Sequence, residues 1–227
     1  MNSVLTDFEK RVAEIELFFS HLESIEESGA SIYFPHRKRR KIVAHDPELI
    51  KVLKANLFLL LYNLAESSIK QSLTEIYDSI SANNLKYNKV IDEIKKIWII
   101  EKYDNFKNKG TDNIFSTINN LAEEIIEIRF DHTRTISGNI DGRKIREFSI
   151  KYGFSNKVHK NANNGNKLHL VKTQRNNLAH GVVSFAECGR NYTISDLRIM
   201  KKETVLYLRN ILKNIEKYLN TKKFIVQ

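Results

Sequence analysis

The stretch TQRNNLAHGVVSFAECGRNYT, residues 173–193, places an arginine, two asparagines and a histidine at the end of an amphipathic segment, and a glycine follows directly. The apolar spacing before it predicts a helix over 166–180. Gly181 is typical of the left-handed residue just beyond a helix. A last helix is predicted from about Ser195, with Asp196 in its first turn. This part of the chain therefore favours an all-α fold.

The rest of the chain supports the same fold class. Only two prolines and eight glycines occur in 227 residues, which favours long helices over a turn-rich β domain. Asp46, Pro47 and Glu48 form a helix start, since they supply a capping oxygen, a tolerated proline and a negative charge. Apolar periodicity predicts the remaining helices over 4–22, 46–80, 90–103, 112–128 and 143–152. We expect an up-and-down helical bundle with the second helix at its centre.

Residues 130–166 differ in texture from the rest, because glycine and asparagine are frequent there. We interpret this region as a small irregular insertion before the arginine-containing helix, with one short helix and then a mobile loop. The length of the chain fits one core. We therefore expect a single domain over 1–227.

Composition limits the functional classes. With 41% apolar and 28% charged residues the chain is globular rather than disordered. Its formal net charge of +10 is compatible with a polyanionic partner, and equally with basic solubility alone. The lone Cys188 excludes an internal disulfide and fits the reducing cytoplasm. The most apolar run, 57–64, is too short to span a membrane. The histidines lack metal-ligand spacing, so we expect neither metal nor cofactor.

The helix over 166–180 has two distinct faces. At 100° per residue, Arg175 falls on the same stripe as Leu168, Val171 and Leu178, which is the stripe that faces the core. The neighbouring stripe is polar throughout and consists of His169, Lys172, Thr173, Asn176 and His180. One interpretation is structural: Arg175 caps carbonyls or pairs with a carboxylate, and His180 favours the negative helix end.

The other interpretation of Arg175 and His180 is chemical. A guanidinium offers a planar fork of donors to phosphate, and a histidine moves protons near neutral pH. These groups suffice for metal-free RNA cleavage, in which the ribose 2′-OH attacks the neighbouring phosphorus. One histidine performs only one of the two proton transfers at a time. A twofold dimer that joins two such helix ends would supply the second.

Arg175, the four residues NNLA and His180 resemble the R-x4-6-H signature of the HEPN superfamily, with its frequent polar residue after the arginine. The flanking sequence to Leu197 and the segment SGNIDGRKIREFSIKYGF, residues 137–154, resemble HEPN-like nucleases of prokaryotic toxin and defence loci. The resemblance covers roughly 137–219, with a looser match in the first two helices.

This resemblance implies a homodimeric, metal-independent endoribonuclease that leaves a 2′,3′-cyclic phosphate. It would be the toxin or effector of a defence or toxin-antitoxin system, with a possible antitoxin or regulatory protein as partner. By position, Arg175 and His180 would be the catalytic pair and Asn176 a supporting residue. Some related toxins carry a modifiable tyrosine two residues after the histidine, where this chain has Val182. That route of control is therefore not expected.

The densest charge run is HRKRRK, residues 36–41. Such a run is either a solvated linker or an arm that follows a phosphate backbone. For the second case we assign RNA binding to Arg37, Lys38, Arg39, Arg40 and Lys41, together with Lys172. An alternative function for the whole chain is a non-catalytic helical dimer that binds RNA or a partner protein, with Arg175 and His180 as structural residues.

Overall fold

Helices make up nearly all the regular structure of the residues that the computed structural model describes, which are 1–26, 30–35, 41–106, 110–111, 115 and 139–226. In chain order the elements are α1 (Asn2–Glu26), β1 (Ser31–Phe34), β2 (Lys41–Ala44), α2 (Pro47–Ala82), α3 (Asp92–Phe106), α4 (Gly142–Tyr152), α5 (Asn166–Ala179), α6 (Phe185–Arg190) and α7 (Ile194–Asn220). Short 3₁₀ segments lie at Tyr87–Lys89 and Lys160–Gly165, and the second contains a kink at the left-handed residues Asn163 and Asn164. The all-α prediction is confirmed; the helix predicted over 112–128 lies almost entirely outside the described residues.

The long helix α2 is the centre of the bundle. Asp46 caps it by accepting the N–H of Glu48 at 2.8 Å, and Pro47 is its first residue, as predicted. Helices α1, α5, α6 and α7 all pack against α2. Its middle is consequently buried on several sides, and Leu57 and Phe58 have no exposed surface. This packing explains why the middle of α2 is apolar on nearly every face.

Helices α1 and α7 lie antiparallel and pair their charges. Glutamates seven residues apart on α1 meet cations of α7, in the pairs Glu9 with Arg209, Glu16 with Lys201, and Glu23 with Arg198. Each of these pairs has at least one partly exposed member, and such pairs contribute little to stability. Their effect here is electrostatic, because three of the basic side chains behind the net charge already have a carboxylate partner.

The short helix α6 follows the motif helix α5 and was not predicted. Ser184 accepts the N–H of Glu187 at 3.2 Å while the Glu187 carboxylate accepts the N–H of Ser184 at 2.8 Å, a capping box. Gly189 brings α6 against α2, because a Cβ placed there would lie only 1.9 Å from the carbonyl oxygen of Lys51. The connection between α5 and α7 is therefore held directly on the central helix.

A two-stranded antiparallel hairpin, β1 with β2, also departs from the sequence-based expectation. Ser31 pairs with Ala44 and Phe34 with Lys41, so these strands flank the basic run that we interpreted as linker or arm. Ile32 and Ile42 are exposed on the hairpin. Each strand has four residues, which is too short for period-two alternation to stand out beside the charge run.

The segment before α5 is more regular than expected. Helix α4 follows the capping residue Asp141 and is followed by Gly153, whose φ of 80° is left-handed. Where we expected a mobile loop, the 3₁₀ turn Lys160–Gly165 packs against α7, and Ala162 is fully buried. The division into one domain with an insertion over 130–166 stays a prediction. No helix among the described residues has the length and apolarity that a membrane span requires.

Candidate active site at the end of helix α5

Arg175 points from α5 towards α2, as its place on the core-facing stripe predicts. Its guanidinium carbon lies 4.4 Å from the centre of the Tyr62 ring, and Nη1 donates to Oδ1 of Asn176 at 3.0 Å. Nη2 lies 3.9 Å from Oε2 of Glu66, too far for a hydrogen bond. The side chain is 27% exposed. The guanidinium is thus oriented by stacking and by one hydrogen bond, and its charge is only loosely neutralised among the described residues.

The Tyr62 ring supports this guanidinium from below and is itself held in place by packing. Its side chain is fully buried in α2, and its hydroxyl accepts the N–H of Ile140 at 3.3 Å. Burial raises the pKa of Tyr62 above its ordinary value of 10.0, so the ring stays a neutral phenol. A cation over an aromatic face is stabilised by about 0.5–1 kcal/mol when exposed and by about 2 kcal/mol or more when desolvated. This contact therefore fixes the position of Arg175 without neutralising it.

His180 lies at the C-terminal end of α5, and its side chain is exposed. Its backbone N–H donates to the carbonyl oxygen of Asn176 at 3.0 Å. Gly181 follows with φ of 67° and Val182 donates its N–H to Asn177 at 2.9 Å, so the helix ends as predicted. Within the described part of the chain the imidazole makes no hydrogen bond, so both ring nitrogens remain available to a ligand.

Asn176 connects the two members of the pair. Its side-chain oxygen accepts from Arg175 and its carbonyl oxygen accepts from the backbone of His180. With Oδ1 accepting from Arg175, the Asn176 side-chain amide nitrogen can still donate to a phosphate oxygen. Asn177, by contrast, contributes its carbonyl to the helix end.

A second polar cluster occupies the other end of the polar stripe of α5. The ammonium of Lys172 contacts Oδ2 of Asp141, and Nδ1 of His169 lies 3.4 Å from the same oxygen. Asp141 also accepts the N–H of Lys144 at 2.9 Å as the cap of α4. Burial raises the pKa of Asp141, but the hydrogen bonds from Lys172, Lys144 and His169 outweigh it and lower that pKa to about 2. Asp141 is thus an anion that joins α4 to α5.

The six predicted RNA-binding residues are only partly covered by the described part of the chain. Lys172 is 15% exposed and pairs with Asp141, so its charge is already neutralised. Of the basic arm, Arg37, Lys38, Arg39 and Arg40 lie outside the described residues, and only the backbone of Lys41 is described, as the first residue of β2. RNA binding by all six stays a prediction.

Sequence reasoning missed Tyr62, Glu66 and Asp141. Tyr62 and Glu66 lie four residues apart and so on one face of α2, more than a hundred residues before Arg175; no local pattern links them to it. Asp141 had a visible local signal, because Asp before glycine and a helical segment is a favoured cap. Among the described residues, no group of three or more His, Cys, Asp or Glu side chains is placed to hold a metal ion.

The chemistry available at this helix end consists of a fixed guanidinium, an asparagine amide and an exposed imidazole. Groups of these types are suited to phosphate binding and to one proton transfer. The model of the HEPN_MAE_28990-like HEPN family matches residues 1–224 of the chain. No curated protein matches the chain, and no solved structure matches it either.

Proposed function

The chain belongs to the HEPN_MAE_28990-like HEPN family, and from this premise we propose that it is a metal-independent endoribonuclease that acts through Arg175 and His180. Family membership indicates a nuclease or RNA-binding function in the broad sense. The proposal of catalysis rests on how Arg175 is oriented and on how exposed His180 is. Arg175 is oriented on Tyr62 with its charge loosely neutralised, and five residues later His180 is exposed.

In the proposed reaction, the 2′-oxygen forms a bond to phosphorus and the bond from phosphorus to the 5′-oxygen breaks. A base takes the proton of the 2′-OH and an acid protonates the departing 5′-oxygen, which leaves a 2′,3′-cyclic phosphate and a 5′-OH. His180 performs one of these proton transfers. Arg175 binds the non-bridging oxygens and stabilises the charge that accumulates on them. Asn176 orients Arg175 and donates its amide to the phosphate.

The second proton transfer requires a second group, and we assign it to His180 of a second protomer. A twofold homodimer that joins the ends of both α5 helices would bring two imidazoles and two guanidinium groups to one phosphate. The exposed Val182, 69% accessible next to the motif, provides apolar surface at that junction. We further infer that the activity is that of a toxin or defence effector, restrained by an antitoxin or regulatory partner.

A non-catalytic RNA-binding or protein-binding dimer is the second candidate function. The observation that favours it is the set of contacts that Arg175 already makes with Tyr62, Asn176 and Glu66. A purely structural arginine would make the same contacts. The exposed imidazole of His180 has no such structural role, so the two functions differ in what removing that imidazole does.

The decisive experiment is RNA cleavage in EDTA by purified wild-type protein and His180→Ala. We expect cleavage to survive chelation and to fall by a factor of about 10² to 10⁴ in the variant, with an unchanged melting temperature and oligomeric state. His21→Ala, which removes another exposed histidine, is the matched control. Absence of cleavage by the wild type, or loss of folding in His180→Ala, would support the binding module.

The proposal that two protomers contribute their His180 side chains to one cleft has a separate test. A purified heterodimer with one wild-type and one His180→Ala protomer should be nearly as inactive as the doubly substituted dimer, because each cleavage needs both imidazoles. Half of the wild-type activity would show that the protomers act independently.

A further inference from the structure

A cavity of about 440 Å³ lies where α4 and α5 begin, away from Arg175 and His180. Its lining includes Arg143, Arg146, Asn166 and His169. Asp141 also lines it, but its charge is directed to Lys172. The cavity is thus polar and basic. It lies at the start of α5, the same helix that carries the proposed active site at its other end, and the proposed reaction does not involve it.

The floor of this cavity is tightly packed. A Cβ on Gly142 would lie 2.9 Å from the carbonyl oxygen of Gly165, so the start of α4 touches the residue before α5. Gly165 has φ of 73° and lies against the Tyr207 ring, and the Tyr207 hydroxyl donates to the carbonyl of Gly142 at 3.3 Å. These contacts fix the two helix starts relative to each other.

The charges around the cavity leave a cationic excess. Lys172 offsets Asp141, and Glu147 is shared by Lys144 at 3.0 Å and Arg143 at 3.9 Å. Arg146 donates to the carbonyl of Asn164 at 2.9 Å, a contact that orients its guanidinium without neutralising it. Of the charged groups named, Arg143, Lys144, Arg146 and Lys172 are positive and only Asp141 and Glu147 are negative.

The position of the cavity relative to His180 gives it a functional meaning. His169, 71% exposed in its wall, precedes His180 by eleven residues, which is about 16 Å along a helix. Eleven residues at 100° return to within about 20° of the same direction, so the face of α5 that carries His169 leads towards His180, which directly follows the helix. A base-stacked strand, with the rise of about 3.4 Å per nucleotide that each strand of a duplex has, would place about five nucleotides between the two points.

We propose that this cavity binds a backbone phosphate of the RNA strand through Arg143 and Arg146, about five nucleotides from the linkage that is cut. The inference rests on the proposed function, because the strand runs to the Arg175 and His180 site. The phosphate contact would fix the register of the strand along α5, so short RNAs would lack it.

The test measures binding of 2′-O-methyl oligoribonucleotides, which lack the attacking hydroxyl and cannot be cleaved. For the wild type and for Arg143→Gln with Arg146→Gln, fluorescence anisotropy gives the Kd of a trimer and of a nonamer. We expect the double variant to bind the nonamer at least tenfold more weakly and the trimer less than twofold more weakly. The salt dependence for the nonamer should become shallower by about 0.7 per lost phosphate contact.

Lys213→Gln with Lys217→Gln removes the same charge from exposed positions of α7 and should change neither Kd by more than about twofold. Equal weakening of trimer and nonamer would overturn the proposal in favour of a general electrostatic effect. So would unchanged nonamer binding. A third measurement uses AMP as the ligand. If the double variant loses as much affinity for AMP as for the nonamer, the cavity is assigned to a free nucleotide instead of the strand.

Arg143→Gln alone is the safeguard if the double variant does not fold. The Arg143 side chain is 80% exposed, so its loss should not affect folding, and it should still weaken nonamer binding more than trimer binding. This experiment measures binding without cleavage. If the protein cuts no RNA but binds the nonamer with this length dependence, the phosphate site is supported and the proposed nuclease activity is contradicted.

Discussion

Helix α5 carries two cations that the structure treats differently. In its middle, Lys172 contacts the buried carboxylate of Asp141, which also caps α4. Near its end, Arg175 lies 3.9 Å from Glu66 and relies on the Tyr62 ring for its orientation. The first cation is neutralised and joins two helices, whereas the second is held in place with its charge still available. The contrast separates a structural ion pair from the guanidinium that we propose binds RNA, on one helix.

The largest expected effect is on the structural side of this contrast. Asp141→Ala removes the helix cap and leaves the Lys172 ammonium, only 15% exposed, without its anion. Because an orphaned partly buried charge is costly, we expect the free energy of unfolding to fall by about 3 kcal/mol. Urea unfolding measures this. Asp92→Ala, at a 77% exposed carboxylate in α3, should leave the free energy of unfolding nearly unchanged. Equal losses in the two variants would remove the structural assignment.

On the functional side, Arg175→Lys keeps the charge and removes the planar fork of donors. We expect RNA cleavage to fall about a hundredfold, because an ammonium neither stacks on Tyr62 in the same way nor binds phosphate with two donors. Initial cleavage rates with a defined oligoribonucleotide measure this effect, and Arg190→Lys is the matched control. A variant that is less stable than the wild type but keeps its specific activity would place Arg175 on the structural side instead.

Acid should weaken the Asp141 contact in a defined range of pH. Its pKa is about 2 in the folded protein, below the ordinary value of 3.8, so folding favours the ionised form. The stabilisation is complete above about pH 4 and is lost as the pH falls through about 2. The difference in unfolding free energy between wild type and Asp141→Asn should therefore shrink between pH 6 and pH 2. A difference that stays constant with pH would contradict this assignment.

The smallest expected effect concerns Glu66. Glu66→Gln removes the carboxylate at 3.9 Å from Arg175, and Glu66 also pairs with Lys70 at 2.9 Å on the surface of α2. We expect the free energy of unfolding to change by less than about 1 kcal/mol, since neither pair is fully buried. Chemical denaturation checks this. A loss above about 2 kcal/mol would mean that Arg175 is as firmly paired as Lys172, and the contrast would disappear.

Local signals predicted the main helices because each depends on nearby residues. The capping residue Asp46 and the terminating Gly181 marked helix ends, and apolar spacing marked the faces. The hairpin was missed because its strands have four residues each. Helix α6 was also missed, although Ser184 and Glu187 three residues apart are a legible capping box.

Only part of the candidate site could be predicted from the sequence. Arg175, Asn176 and His180 lie within six residues, so their type and spacing pointed to phosphate chemistry, and the helical wheel correctly turned Arg175 towards the core. Tyr62 reaches Arg175 only through the packing of α2 on α5, and Asp141 reaches Lys172 only through the placement of α4. Such contacts depend on how helices meet, which the spacing of apolar residues within one helix does not encode.

The contact of Gly189 with Lys51 sets a limit on sequence variation near the motif. Since the missing Cβ would overlap a main-chain oxygen of the central helix, even alanine would force α6 away from α2. The segment displaced would be the one that follows His180 and leads into α7. A single methyl group at Gly189 would thus displace the segment next to His180 from a position that contacts none of the residues of the proposed active site.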